Sequence, residues 1–292
     1  MLRIIMACLL SYTALFAHAD IKVKDEMGTF SIPTAAKKIV VLEFSFVDAL
    51  ANLDISPVGV ADDGKANSVI SAIKDRIEPW TSVGTRSTPN LEIIASLKPD
   101  MIIADVERHA TIYKDLQQIA PTLILKSRGE SYQDNLSAVL KIGKALDQEK
   151  KMLQLIADHD KRMDAFAKEI NSDKSFLFAV SSPRGVYMHS PKAYAGGVMA
   201  RLGLVSAIPN ETEKAYISTT LERLVKANPD YLLVGEYGDA TMIDEFKKSP
   251  LWKMISTVKN ATYRETDALL WSKNRGMIAA EIMAKELQSF VK

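Results

Sequence analysis

Cysteine is nearly missing from this 292-residue chain: the one present, Cys8, lies in its opening stretch. A disulfide framework and a thiolate metal centre are thereby excluded. Histidine is scarce too, at four residues, so a histidine-rich metal site is not expected. No apolar run after the opening stretch approaches the roughly 18 residues that a membrane helix requires. Charge of one sign is also lacking, with 37 basic and 36 acidic residues. Such a balance argues against nucleic acid or an anionic membrane surface as the partner. Enzyme signatures are absent as well: there is no Gly-x-Ser-x-Gly elbow, His-Glu-x-x-His, phosphate-binding Gly-x-x-x-x-Gly-Lys-Ser/Thr or Gly-x-Gly-x-x-Gly.

What is present begins with a leader. Residues 1–19 read as a secretory signal peptide, with Arg3 as the only charge, a mostly apolar stretch Ile4–Phe16, and Ala17-His18-Ala19 as a small-x-small cleavage site before Asp20. Ile5-Met6-Ala7-Cys8 resembles an acylation box only weakly, because almost no apolar segment precedes it. Cleavage would remove the cysteine and leave 36 basic and 36 acidic residues, which suits a soluble product outside the cytoplasm.

A fourteen-residue pattern then occurs twice. Leu91-Glu92 through Pro99-Asp100 to Ala104 returns as Leu221-Glu222 through Pro229-Asp230 to Val234. In each copy Leu-Glu opens a short helix, proline ends it, and a buried strand follows. So long a separation excludes a solenoid and indicates two similar lobes with a ligand cleft between them. Apolar runs such as Ile39–Leu42, Met101–Ala104, Thr122–Leu125, Phe176–Val180 and Tyr231–Val234 predict strands covered on both faces. Gln148–Ile170 has no Gly or Pro and carries Met152, Leu155, Ile156, His159, Met163, Phe166 and Ile170 at helical spacing. It predicts one amphipathic helix, roughly 35 Å long, with His159 packed on its apolar stripe. The expected fold is therefore α/β: two Rossmann-like lobes, each a mainly parallel sheet with flanking helices, joined by one long helix. The boundaries are 20–147 for the first lobe, 148–171 for the connector and 172–292 for the second.

Arginines mark the candidate site. Arg86, Arg108 and Arg128 each follow a predicted strand end in the N-terminal half, and Arg275 follows the last strand candidate of the C-terminal half. In open α/β sheets the ligand crevice lies beyond the carboxyl ends of the strands, so these residues would line it with positive charge. A neutral protein with a basic cleft indicates a small anionic ligand, since guanidinium forks bind carboxylates in paired bonds. Tyr194 and Trp271 are candidates for a flat apolar wall beside them. Glu92 and Glu222 occupy matched positions on the two lobes; capping, with Thr219 and Glu222 as a capping box, explains each singly but does not require the match.

The repeated Leu-Glu/Pro-Asp unit, the single spanning helix and the leader resemble the helical-backbone (cluster A, class III) substrate-binding proteins of ABC importers, which carry ferric siderophores, haem or cobalamin. Within that family, Lys38–Leu50, Trp80–Arg86, Ile102–Ala110, Leu116–Pro121, Lys126–Arg128 and Trp271–Glu281 are similar to the members that carry ferric citrate. Ser181–Tyr194 departs from that pattern, with Tyr194 where a tryptophan is expected, so the C-terminal wall would be tuned to its own carboxylate chelate. The resemblance implies a periplasmic monomer, not an enzyme and not embedded in the membrane, that binds no nucleic acid. It implies no cofactor and no protein-held metal, the iron staying coordinated by citrate. It further implies an inner-membrane ABC permease as partner, with Glu92 and Glu222 as docking carboxylates, one per lobe. Another ferric siderophore, haem or cobalamin is the alternative ligand, with His109 as the available haem donor. A remoter alternative is an extracytoplasmic enzyme using Glu43 as a base.

Overall fold

The computed structural model describes residues 20–209 and 212–291; the leader expected over 1–19 lies outside them. A hairpin of β1 (Ile21–Lys24) and β2 (Thr29–Ile32) opens the described chain. Five parallel strands follow: β3 (Ile39–Val41), β4 (Gly59–Val60), β5 (Thr81–Ser82), β6 (Met101–Asp105) and β7 (Thr122–Leu125). Their spatial order is β5-β4-β3-β6-β7, so the chain reverses direction across the sheet between β3 and β6. The second sheet comprises β8 (Ser175–Ser182), β9 (Gly185–His189), β10 (Val205–Ser206), β11 (Tyr216–Thr219), β12 (Tyr231–Glu236) and β13 (Tyr263–Thr266). Its order is β11-β9-β8-β12-β13, with β10 beside β8. Here β8, β11, β12 and β13 run in one direction while β9 runs antiparallel to both its neighbours, so this sheet is mixed.

Alternation along the buried strands feeds two cores per sheet. Ile39, Val41, Met101, Ile103, Leu123 and Leu125 face one side of the first sheet, while Val40, Ile102, Ala104 and Ile124 face the other. Phe176, Phe178 and Leu233 oppose Leu177, Ala179, Leu232 and Val234 in the second. Both faces of each sheet are covered by helices, which explains why its central strands read as continuous apolar runs.

The sequence repeat has a structural cause. Asn90 and Thr220 cap the helices Leu91–Ser96 and Leu221–Ala227, accepting the N–H groups of Ile93 (3.0 Å) and Arg223 (3.5 Å). After each helix the chain turns through a positive φ, 48° at Lys98 and 42° at Asn228, directly before the proline. The next residue then ties down the neighbouring strand: Asp100 accepts the N–H groups of Lys37 and Lys38 just before β3, and Asp230 accepts that of Ser175 at the start of β8. The predicted box between Thr219 and Glu222 is corrected. Thr220 caps, and Thr219 is the buried last residue of β11.

Two helices hold the sheets together. The connector spans Glu149–Ile170 and sends Met152 into the N-terminal core, Met163 and Ile170 into the C-terminal one. His159 is fully buried on it, between the Tyr132 hydroxyl (2.7 Å) and Glu281 (2.6 Å). Helix Met277–Val291 likewise divides its apolar face, Met277 and Ile278 packing with the first lobe and Ala280, Met283, Ala284 and Leu287 with the second. Its N-terminus is capped from the other lobe: Asp48, on helix Phe44–Asn52, accepts the N–H groups of Ile278 (3.3 Å) and Ala279 (3.1 Å). Gly276 is required there, because its φ is 138° and a Cβ would lie 2.2 Å from the Asp48 carboxyl carbon.

Candidate functional site

β3 and β6 carry their carboxyl ends to the point where the strand order of the first sheet reverses, the position at which open α/β sheets bind ligands. Glu43 follows β3 there and is completely buried. It stands at the N-cap of helix Phe44–Asn52 in extended conformation but makes no capping bond. Its carboxylate instead gathers cations. Arg86 Nη1 lies 3.6 Å and Arg275 Nη2 3.4 Å from Oε2, and Arg108 Nε is in close contact with Oε1. Three of the four arginines expected at the cleft therefore converge on one carboxylate.

Each arginine is held by its own loop. Arg86 forms a forked pair with Asp63, Nη2 to Oδ2 at 2.9 Å, and covers the Phe44 ring at 4.2 Å. Burial works against ionisation of Asp63, but the Arg86 bonds outweigh it and hold that carboxyl below its ordinary value. Arg108 follows Asp105, the last residue of β6, whose carboxylate accepts the N–H groups of Arg108, Ser127 and Arg128 and so fixes two loops at once. Arg275 comes from the C-terminal lobe and is 4% exposed. It donates to Glu130 Oε1 (2.8 Å) and to Ser127 Oγ (2.7 Å) besides facing Glu43. Burial pushes the Glu130 carboxyl up to about 8 against the pull of Arg275, and its Oε2 has no hydrogen-bond partner. Arg128 differs: its backbone is tied to Asp105 while its side chain is exposed, without an ion pair among the described residues.

Tyr194 and Trp271 do not form the expected wall. Trp271 is completely buried, packed beside Phe178 with its indole N–H donating to Glu286 (2.6 Å). Tyr194 is 2% exposed, and its hydroxyl donates to the Gly276 carbonyl (2.6 Å) while accepting the Gly276 N–H (2.9 Å). Both are core residues because the turn Leu269–Lys273 and the helix start at Tyr194 point them inward. His109 is likewise closed to a ligand: Nδ1 accepts the Asp105 N–H (2.9 Å) and Nε2 donates to the Arg86 carbonyl (2.8 Å). Burial lowers its pKa, in keeping with the neutral ring that this pairing requires.

Residues 39–269 match the family described as Periplasmic binding protein. The chain belongs to that family. It is 39% identical over 265 residues to the Fe(3+) dicitrate-binding periplasmic protein FecB of Escherichia coli strain K12, covering 90% of this chain and 88% of that protein. It is also 39% identical to the Fe(3+)-citrate-binding protein YfmC of Bacillus subtilis strain 168, over 91% and 84% of the two chains. Among solved structures, Staphylococcus aureus SirA complexed with staphyloferrin B superposes with a TM-score of 0.81 at 25% identity, over 92% of this chain and 97% of that one. The solved structure shares the two-lobed α/β architecture of this chain. Sequence reading singled out Glu43 only as the base of a remoter alternative, not as the partner of the arginines, and it missed Asp63, Glu130 and Ser127; an acidic residue just beyond β3 was the available signal.

Glu92 and Glu222 are exposed in the first turns of the repeated helices. Among the described residues no helix is long and apolar enough to cross a membrane.

Proposed function

We propose that this chain is the substrate-binding protein of an ABC importer, capturing iron(III) dicitrate in the periplasm and delivering it to an inner-membrane permease. The observation that carries this reading is the gathering of Arg86, Arg108 and Arg275 on Glu43 at the strand-reversal point, with the Arg128 side chain left open beside them. A buried carboxylate sets the spacing of the guanidiniums, Arg275 braces it, and the donor N–H groups that Arg86 and Arg108 leave unused can bind the carboxylates of an anionic chelate. The 39% identity to two ferric-citrate-binding proteins supports the same ligand.

In this reading citrate supplies every ligand to iron, the protein reads the outer carboxylates, and no chemistry is performed on the cargo. The closed hydrogen bonding of His109 and His159 agrees with that division of labour. Residues 1–19 direct export, lobes 20–147 and 172–292 close on the chelate around the 148–171 connector, and the protein acts as a monomer. Glu92 and Glu222 present one carboxylate per lobe to the permease.

Isothermal titration of the leader-free protein with ferric citrate, iron-free citrate, haem and a ferric catecholate tests the assignment. Tight binding of ferric citrate alone is expected, and preference for haem or the catecholate would overturn it.

A further inference from the structure

The C-terminal sheet has a reversal point of its own, between β8 and β12, and a cavity of about 550 Å³ opens beside it. Its walls come from both lobes, the loop at Lys65 on one side and Tyr237, Asp267 and Lys273 on the other. That volume lies within the range typical of small-molecule sites.

The charges around this cavity are unequally committed. Asp267 accepts the N–H groups of Leu269 (2.8 Å) and Leu270 (3.3 Å), capping the turn that carries Lys273. Glu236 accepts the Thr241 hydroxyl (2.5 Å) and faces Lys247 at 3.7 Å. Both wall carboxylates are thus engaged locally. Lys65 is exposed and has no ion pair among the described residues. Lys273 lies 3.5 Å from Asp63, a carboxylate already held more closely by Arg86, and its ammonium rests 5.1 Å from the centre of the Tyr237 ring. The Tyr237 hydroxyl is occupied by the Ala268 carbonyl (2.7 Å) and the Ser272 hydroxyl (2.5 Å), so the residue offers the cavity its ring and not its polar tip. Lys65, without an ion pair among the described residues, and Lys273, whose one carboxylate partner is shared with Arg86, therefore flank the cavity from the two lobes, and Asp63 links Lys273 to the arginine cluster. The pKa of Lys273 is lowered, chiefly by burial and then by Arg86, so this ammonium gains from an added negative charge.

We propose that this cavity is a second carboxylate subsite, in which Lys273 and Lys65 bind one carboxylate arm of the ligand from opposite lobes over the Tyr237 ring. The subsite rests on the ferric-citrate reading and assigns the C-terminal half of the site to Lys273 and Tyr237, in place of the buried Trp271, Tyr194 and Arg275. An ammonium pair suits a carboxylate that approaches in varied orientation, whereas the guanidinium cluster demands a fixed one.

Titration calorimetry with ferric citrate on the leader-free protein is the test, using the wild type, Lys65→Gln/Lys273→Gln and Lys273→Arg. The double variant should bind at least about thirtyfold more weakly at unchanged melting temperature, and the arginine variant within about fivefold of wild type. Acetic anhydride labelling read by mass spectrometry adds a direct measure: ferric citrate should protect Lys65 and Lys273 but not the surface residue Lys161. Wild-type binding with an unaffected double variant, or with no protection of the two lysines, overturns the subsite and leaves the ferric-citrate reading intact. Failure of the wild type to bind ferric citrate overturns both, and it is seen before any variant is made.

Discussion

Glu43 and Glu130 are both completely buried and both face Arg275. Arg108 reaches Glu43 from a half-buried position, and removing it leaves Glu43 facing Arg86 and Arg275. Arg108→Ala should weaken ferric-citrate binding by roughly ten- to a hundredfold, since a hydrogen bond to a charged group contributes about 1.5–3 kcal/mol. Arg275→Ala should act first on the fold. It takes from the buried Glu130 its hydrogen bond and from Glu43 one of three cationic partners, a loss of about 1–3 kcal/mol for buried groups left unsatisfied. Thermal melts and titrations of the two variants would separate these roles, and a stable Arg275→Ala protein with lost affinity would restore that residue to ligand contact. The pH dependence has a definite sign. Glu130 titrates at about 8 and Asp48 at about 7 in the folded chain, both raised by burial from ordinary values of 4.5 and 3.8. Between those limits the folded protein holds protons that the unfolded chain has released, so these groups stabilise it fully below about pH 4 and lose that contribution as pH rises toward 8. Glu130→Gln keeps the acceptor for Arg275 and removes one titration. Its melting temperature relative to wild type should climb by about 2–5 °C between pH 5 and pH 8.5, and a constant difference would place the Glu130 proton elsewhere.

Among the elements, the repeated helix-proline-strand unit sets one exposed glutamate in the same position on each lobe. Helices Leu91–Ser96 and Leu221–Ala227 are capped by Asn90 and Thr220, so capping does not rest on the glutamates that follow two residues later. Replacing Glu92 and Glu222 together by Gln should leave melting temperature and ferric-citrate affinity near wild type while impairing transport through the reconstituted permease. Normal transport by that double variant would reduce both residues to helix-start carboxylates. Much of this level was legible in the sequence. Strands β6 and β7 lie where their apolar patterns placed them, because local pattern and burial agree there. Helix Tyr132–Ala145 was not read, although Ser131 and Asp134 form a capping box at its start. The site was legible only in part for a physical reason. Positions after strand ends follow from local pattern, which located Arg86 and Arg108; the partner each finds is a tertiary fact, and Glu43 is separated from Arg275 by most of the chain. Trp271 and Tyr194 were misplaced because a helical turn aims them at the core, a direction that spacing alone does not reveal.

The whole molecule is joined by more than its connector. The Asp48 cap on the C-terminal helix, the Arg275 bridge to Glu130 and the Asn274 amide donating to the Ser68 carbonyl (2.9 Å) all cross between lobes in buried surroundings. Opening the cleft widely would break these bonds where water cannot replace them. Closure should therefore amount to a few ångströms at the cleft mouth, and small-angle scattering with and without ferric citrate should show a nearly constant radius of gyration. A marked contraction would mean that the cross-lobe bonds open in the ligand-free state. The divided face of helix Met277–Val291 has a consequence for biogenesis. Met277 and Ile278 complete the core of the lobe built from the earliest part of the chain, and the residues just after them complete the core of the other. Neither lobe possesses its full interior until residues 277–287 are available, so a chain that emerges from its N-terminus remains pliable and locks into shape only once this segment has followed.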